Sequence, residues 1–526
     1  MVSRTSLTSS PRRRAGAALI AALVLAAAAC GDGDGGEDGA STGEPVVETK
    51  AEPSAGRWRT WVLNAPDEIP VPPPPGEGSA GARADEEELR KLADERTPEV
   101  EDIIRKWAGE GEPVSAPWVE MALEFVSARE KDPPNSSRAY ALVSVAAYDA
   151  MVAAWHYKYE YDREAPDVVE RLSGPGPDPS YPSEHAVIAG ATSRVLAYLF
   201  PERPALRLEE AADQAALSRV QAGANWPSDI DAGLALGTAI GDKVVAHAKA
   251  DGADREWDGT RPGGRPRYWE PPTGSVANPV QPLAGTWKTW VMEKGDQFRP
   301  GPPPVFGSPE FRAQAEEMVR VKAELTEEQK RKATFWAGGQ GRPLAAGVWN
   351  EVALAYLRDR QPSEPQAERA MALANVAMAD AGVAAWDAKY AYWDPRPENG
   401  VQDLGVDPAW KPYIDTPFFP SYISGHATYS GAVSEVLSYL FPDNAAEFRA
   451  KAEEAANARL WGGIHWRKDN EVGLQVGEKI GRLVVDRAEA NGATAWTGEE
   501  LLLWGGGAGG GSAERGRSNQ GLRFRP

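Results

Sequence analysis

Apolar residues recur at three- and four-residue spacing along most of the chain, in segments rich in alanine. That period lines one face of an α-helix. Prolines and glycines punctuate the segments, and alternating strand patterns are nearly absent. The pattern is also written twice. "GRWRTWVLNAPDE" (56–68) matches "GTWKTWVMEKGDQ" (285–297), and "APWVEMALEFV" (116–126) matches "GVWNEVALAYL" (347–357). "SRAYALVSVAAYDAMVAAWHYKYEY" (137–161) matches "ERAMALANVAMADAGVAAWDAKYAY" (368–392), and 217–253 matches 457–493 in the same manner. Order and spacing are kept throughout, so the chain is a tandem duplication. Each copy predicts four or five helices forming a bundle, and the whole predicts an all-α protein of two packed bundles. The bundles are expected at 56–255 and 285–494, joined by a Gly- and Pro-rich linker at 256–284. A loose Gly-rich tail follows at 495–526.

At 526 residues the chain exceeds one ordinary core, which agrees with two domains. A net charge of −20 argues against nucleic acid as a partner, because phosphate backbones need a basic face. It leaves a small anion open, since a pocket's local charges decide that. Arg4 and Arg12 to Arg14 precede an apolar run too short to span a bilayer, which ends in small residues at Cys30, the only cysteine. Residues 1–29 therefore read as a lipoprotein signal peptide, Cys30 as the lipidated first residue, and 30–55 as an acidic Gly-rich tether. The alternative is an ordinary secretory signal ending near a cysteine. Loss of 1–29 removes four arginines and no acid, taking −20 to −24. The expected location is the bacterial cell envelope, membrane-anchored only through Cys30, or otherwise periplasmic or secreted.

The two copies share the demands of one bundle, so polar residues present in one alone point to chemistry. The second copy has Lys389 and Arg396 in "KYAYWDPRP", Ser424, Gly425 and His426 in "SGH", and Arg459, His465 and Asp469 in "RLWGGIHWRKD". The first keeps Lys158, Ser183, His185, Arg219 and Asp229, but has Ala165 for Arg396, Glu184 for Gly425 and Asn225 for His465. These three changes remove a cation, add a carboxylate at a helix N-terminus and delete an imidazole. The second copy looks built to hold an oxyanion, the first unable to. A helix starting near His426 aims its free amides at Ser424 and Gly425. Pro395 and Pro397 place Arg396 on extended chain past the helix that carries Lys389. Gly462 and Gly463 break the chain after Arg459, and His465 is expected to open a helix with Asp469 one turn on, orienting the imidazole. A lone Arg at a helix end usually caps carbonyls, and a lone His is usually packing; His156, His185 and His247 are read that way.

Together the three motifs resemble the superfamily of vanadium-dependent haloperoxidases and type-2 phosphatidic acid phosphatases. Its signature is K-x(6)-R-P, then P-S-G-H, then S-R-x(5)-H-x(3)-D. The proline of the second motif is displaced in "PSYISGH", Ala458 replaces the usual serine, and Pro395 stands where a bulkier residue is usual. The chloroperoxidase-like branch is the more similar, with Trp386 and Phe419 at its halide-pocket positions. The resemblance implies two bundles related by a pseudo-twofold axis. It implies vanadate as cofactor, with His465 as the ligand to the metal and Lys389, Arg396, Arg459, Ser424 and the Gly425 amide neutralising its oxygens. His426 would be the acid–base for hydrogen peroxide and Lys389 would polarise it; halide would leave as hypohalous acid for a small organic acceptor. In the phosphatase alternative His465 attacks a phosphate ester to form a phosphohistidine, His426 protonates the leaving group and Asp469 orients His465. A third reading is a lipoprotein that binds an oxyanion without catalysis.

Overall fold

Among the described residues, seven α-helices build the first half and eight the second. In the first, α1 (Ala80–Asp94), α2 (Pro98–Ala108), α3 (Ala116–Ser127), α4 (Pro133–Tyr161), α5 (Glu184–Leu199), α6 (Ala205–Gln221) and α7 (Pro227–Lys249) follow in order. The second runs α8 (Pro309–Ala323), α9 (Glu327–Ala337), α10 (Ala345–Arg360), α11 (Glu364–Tyr392), α12 (Pro397–Asp403), α13 (Gly425–Leu440), α14 (Ala445–Trp461) and α15 (Arg467–Glu489). This is a computed structural model that describes residues 52–493, apart from 110–111, 130–131, 174–177, 204, 265, 272–277 and 339–342. The expected signal peptide, Cys30, nearly all of the tether and the 495–526 tail lie outside the described residues. No strand occurs among the described residues, and no helix there is long and apolar enough to cross a membrane.

The helix count exceeds the four or five per half expected from periodicity. The additions bury little. In each half a polar pair precedes the bundle (α1 and α2, α8 and α9), each burying only two or three residues. One-turn stripes of that width leave little periodic signal. The seven residues of α12, which follow Arg396, have no counterpart in the first half.

α4 and α11 form the centre. Each is 29 residues long and starts at a side-chain cap, with Asp132 accepting from Asn135 N and Ser363 from Gln366 N. Each ends in a left-handed residue, Asp162 or Trp393. Their alanine-rich surfaces are buried nearly all round, and they pack on each other. Across the seam the Asn375 amide donates to Ser144 Oγ (2.9 Å), and Glu368 Oε1 accepts from Ser115 N (2.9 Å). One hydrophobic core holds Trp118, Tyr140 and Met151 together with Trp349, Met371 and Val376.

Contacts between the halves are reciprocal, as a twofold relation requires. Trp61 and Trp290, equivalent residues, meet edge to face at 6.0 Å. Arg487 stacks on Trp61 and its counterpart His247 on Trp290. The repeated "TW" arm is pinned the same way twice: the Asp149 carboxylate accepts from Trp61, Val62 and Leu63 N–H, and that of Asp380 from Trp290, Val291 and Met292. The glycine opening each arm is a packing requirement. A Cβ on Gly56 would stand 2.5 Å from His156 N, and one on Gly285 2.4 Å from Asp387 Cα.

Candidate active site

Three helix termini converge in the second half. α11 delivers Lys389 in its last turn, α13 begins at Gly425 with Ser424 as its N-cap, and the break between α14 and α15 carries His465. Ser424 Oγ accepts from Ala427 N at 3.5 Å, and Ser424 N donates to Asp469 O at 3.0 Å, tying α13 to α15. Gly425 lies against Trp386; a Cβ there would come 3.3 Å from its ring.

His465 is 2% exposed and precedes α15 by two residues, instead of opening it as the sequence suggested. Two consecutive glycines end α14, and Trp466 takes the N-cap, so Asp469 sits at the third helical position and accepts from Trp466 N. The expected pairing forms from this loop position: Nδ1 meets Asp469 Oδ2 at 2.8 Å. Burial, then Arg396, Lys389, Arg459 and His426, push the imidazole pKa far below its ordinary value. A neutral ring that gives its Nδ1 proton to Asp469 leaves the Nε2 lone pair outward, where Arg396 Nη1 donates at 3.0 Å.

Arg396 is fully buried on extended chain, as expected, with Nε on Phe419 O (2.8 Å) and Nη1 on Ile464 O (2.6 Å). Arg459 caps the C-terminal carbonyls of α9, Trp336 O (2.7 Å) and Ala333 O (3.2 Å), so the ordinary role of an arginine at a helix end is present as well. Burial pushes both guanidiniums down to about 9. Among the described residues, Arg396 Nη2 and Arg459 Nε meet no acceptor in the protein. Buried donors of this kind fit an oxyanion. Lys389 is committed differently. All three of its protons go to carbonyls of the 420–423 loop, Pro420 (3.0 Å), Ser421 (2.8 Å) and Ile423 (2.6 Å). It therefore shapes the loop in front of α13. Burial and Arg396 lower its pKa, while Asp469 and Asp394 favour the charge. His426, on the first turn of α13, is half-buried, with Nε2 within reach of Trp336 O (2.7 Å) and Arg459 Nη1 (2.9 Å). Trp386 and Phe419 pack at 5.0 Å, and Arg396 lies 4.7 Å from the Phe419 ring.

Two residues escaped the sequence reading. Ser421 Oγ donates to Asp469 Oδ2 at 2.6 Å. Ser180 makes the corresponding bond to Asp229 in the first half, so a search for differences between copies could not find it. Asp394 was findable, because its counterpart is Arg163, a reversal of charge. Asp394 is 5% exposed with Oδ2 unpartnered among the described residues, and burial and Asp469 push its pKa well up.

The first half keeps the frame and fills the cradle. Ser183 N donates to Asp229 O (3.1 Å), as Ser424 N does to Asp469 O. The Glu184 carboxylate takes Lys158 Nζ at 2.8 Å and His185 Nδ1 at 3.0 Å. Asn225 replaces the imidazole, its amide donating to Ser180 O at 2.9 Å. Arg163, two residues before Ala165, pairs with Asp229 at 2.7 Å. His156 sits beside Glu160 at 3.3 Å, a surface contact.

Comparison with known proteins agrees with this fold. The VCPO second helical-bundle domain matches residues 369–452 and 444–492, and the PAP2 superfamily matches 138–247. The crystal structure of the first bacterial vanadium-dependent iodoperoxidase superposes with a TM-score of 0.60 at 26% identity, over 70% of this chain and 95% of that one. This is the vanadium-haloperoxidase fold. The apo and holo forms of a bacterial vanadium-dependent chloroperoxidase share the haloperoxidase fold at 15% identity, with TM-scores of 0.53 and 0.51 over 69% of this chain and 95% and 93% of theirs. No curated protein matches the sequence.

Proposed function

We propose that the second bundle is a vanadium-dependent haloperoxidase site that oxidises halide with hydrogen peroxide. The observation that carries this is the neutral His465 Nε2 beside the unpartnered donors of two buried arginines, with the Phe419 ring against the Arg396 guanidinium and Trp386 packed on that ring. Vanadate bound there would supply a Lewis acid that activates peroxide toward halide. The protein's own contribution is electrostatic and positional. His465 offers a lone pair fixed in direction by Asp469, itself fixed by Ser421 and Trp466 N. Arg396, Arg459, Ser424 and the Gly425 amide hold the oxyanion, and Lys389 holds the loop that frames them. His426 moves the proton of the incoming peroxide. Trp386 and Phe419 exclude water where the halide approaches, and a small organic acceptor takes the oxidised halogen.

The same groups support a phosphatase, with His465 as nucleophile and His426 as the acid for the leaving oxygen. The PAP2 match of the first half favours keeping that reading. An oxyanion-binding protein without catalysis is the least supported, because such a protein has no use for His426. Vanadate reconstitution with metal analysis and a halide-dependent peroxidase assay decides. One vanadium per chain without turnover of chloride, bromide or iodide moves the assignment to the phosphatase. His465→Ala abolishes turnover in either case, and His426→Ala lowers it by about 10²–10⁴-fold. Export with a lipid anchor at Cys30 belongs to the same proposal: Cys30→Ser should end fatty-acid labelling in cells, and labelling that persists refutes it.

A further inference from the structure

A second group of cations lies well away from the catalytic pocket. Arg369 is twenty residues before Lys389 on α11, about 30 Å along the helix. It is 1% exposed. Its Nη2 donates to Ala488 O at 2.8 Å and reaches Tyr439 Oη at 3.4 Å. Among the described residues, Nε and Nη1 meet no acceptor in the protein.

The duplication shows what is different about it. The counterpart Arg138 donates to Ala248 O at 2.9 Å, the matching carbonyl, and its Nε donates to Asp251 Oδ2 at 2.6 Å. Asn491 replaces Asp251. The frame is unchanged, for Asn491 Oδ1 accepts from Ala493 N at 2.9 Å as Asp251 Oδ1 does from Ala253 N at 2.9 Å. Only the second oxygen has gone, exchanged for an NH₂, and it is the atom that neutralises Arg138.

One neighbouring substitution adds charge of the same sign and another keeps it. Arg487 replaces His247; it lies 3.8 Å over Trp61 and donates to Thr60 O. Arg59 replaces Lys288, and its repulsion adds to the burial that lowers the Arg487 pKa. The carboxylate at hand, Asp149, already accepts three backbone N–H groups. Arg369 and Arg487 both lie by Tyr148, and Asp149 beside Arg487 is committed, whereas Arg138 at the equivalent seam has Asp251 as its partner.

Size is restricted too. The seam beside Arg138 has a cavity of about 20 Å³ lined by Arg138, His247 and Asp251 of the first half and Lys288 and Ala379 of the second, among others. At the equivalent seam beside Arg369, Tyr148 stands for Ala379 and narrows that space, with its hydroxyl donating to Arg59 O at 3.2 Å. A tetrahedral oxyanion exceeds even the wider cavity at the Arg138 seam. A single-atom anion suits a set of N–H donors from different elements, because it accepts without directional preference.

We propose that Arg369, with Arg487, binds a halide ion at the seam between the two halves, where Asn491 leaves Arg369 without the carboxylate that Asp251 gives Arg138. A ligand bound only by the folded protein raises its unfolding midpoint in a saturable way. The test is thermal unfolding of the full chain in increasing chloride or bromide, at ionic strength held constant with gluconate. Wild type should gain on the order of 2 °C and saturate. Asn491→Asp supplies the missing oxygen, so it should start at a higher midpoint without halide and show no response. His465→Ala should keep the response, which separates this site from the catalytic pocket. A wild type without saturable response, an Asn491→Asp variant that still responds or is destabilised, or loss of the response in His465→Ala overturns the proposal. Bromide anomalous scattering from crystals should peak beside Arg369, and its absence at saturating bromide overturns it as well.

Discussion

Replacing Glu184 by Gln tests whether the first half carries its own anion. The carboxylate accepts from Lys158 at 2.8 Å and from His185 at 3.0 Å, with side-chain exposures of 12% for Glu184 and 3% for Lys158. Lys158 also donates to Pro179 O, so the cation is held in place. At 2.8 Å and an effective dielectric of about 20, the Coulomb attraction is roughly 6 kcal/mol. Desolvation of both ions offsets much of that in the wild type. Removing one partner leaves the other buried and uncompensated, which costs about 3–5 kcal/mol. Burial opposes ionisation of Glu184, but Lys158 and His185 outweigh it and hold the pKa below its ordinary value. The stability it contributes is thus present above the ordinary carboxylate range and lost as pH falls through it. Urea unfolding of the full chain at pH 7 should show Glu184→Gln less stable by about 3 kcal/mol, with the gap closing in acid. Added inorganic phosphate should recover part of the loss in Glu184→Gly, where the cradle is open. A variant within about 0.5 kcal/mol of wild type at pH 7 refutes the claim that this carboxylate stands in for a bound anion.

Glu368 gives the opposite pH dependence. Burial pushes it up to about 7, so its contribution is fully present below the ordinary carboxylate range and lost as pH rises through about 7. Glu368→Gln keeps an oxygen for Ser115 N and should gain on wild type above that pH; identical midpoint–pH curves would discard this. Phe419→Ala should reduce halide oxidation more than oxyanion affinity, because the ring touches Arg396 and Trp386 and not His465. Equal losses in halide turnover and in vanadate affinity would make it a packing residue only. A fragment 263–494 should not fold cooperatively, because α4 and α11 share one core and Asn375 loses Ser144. A soluble fragment with a sharp unfolding transition contradicts this. Replacing Asn225 by Ala should leave turnover nearly intact, and two equivalents of oxyanion bound per wild-type chain would overturn the assignment of the first half.

Local chemistry along the chain was enough for much of this protein. Period and punctuation specify helices, since burial of one face repeats every three to four residues regardless of the partner. Duplication exposed itself by repeated order, and the differences between copies isolated Arg396, Gly425 and His465. The His465–Asp469 bond was legible because both residues lie within one helical turn. What the tertiary structure decided lies across long separations. Lys389 spends its protons on carbonyls 31 to 34 residues away, and Arg459 caps a helix more than 120 residues earlier. Neither follows from spacing, because a hydrogen bond between distant segments depends on how whole helices pack. Ser421 was hidden for a different reason, being kept in both copies. His465 also moved off its helix, since two glycines let the chain turn before Trp466 takes the cap. The sequence thus determined which residues are available and on which local element they sit. Only the packing of α11, α13 and α15 decided which donors are already used and which are left for a ligand, because burial removes water as the partner every polar group could otherwise find.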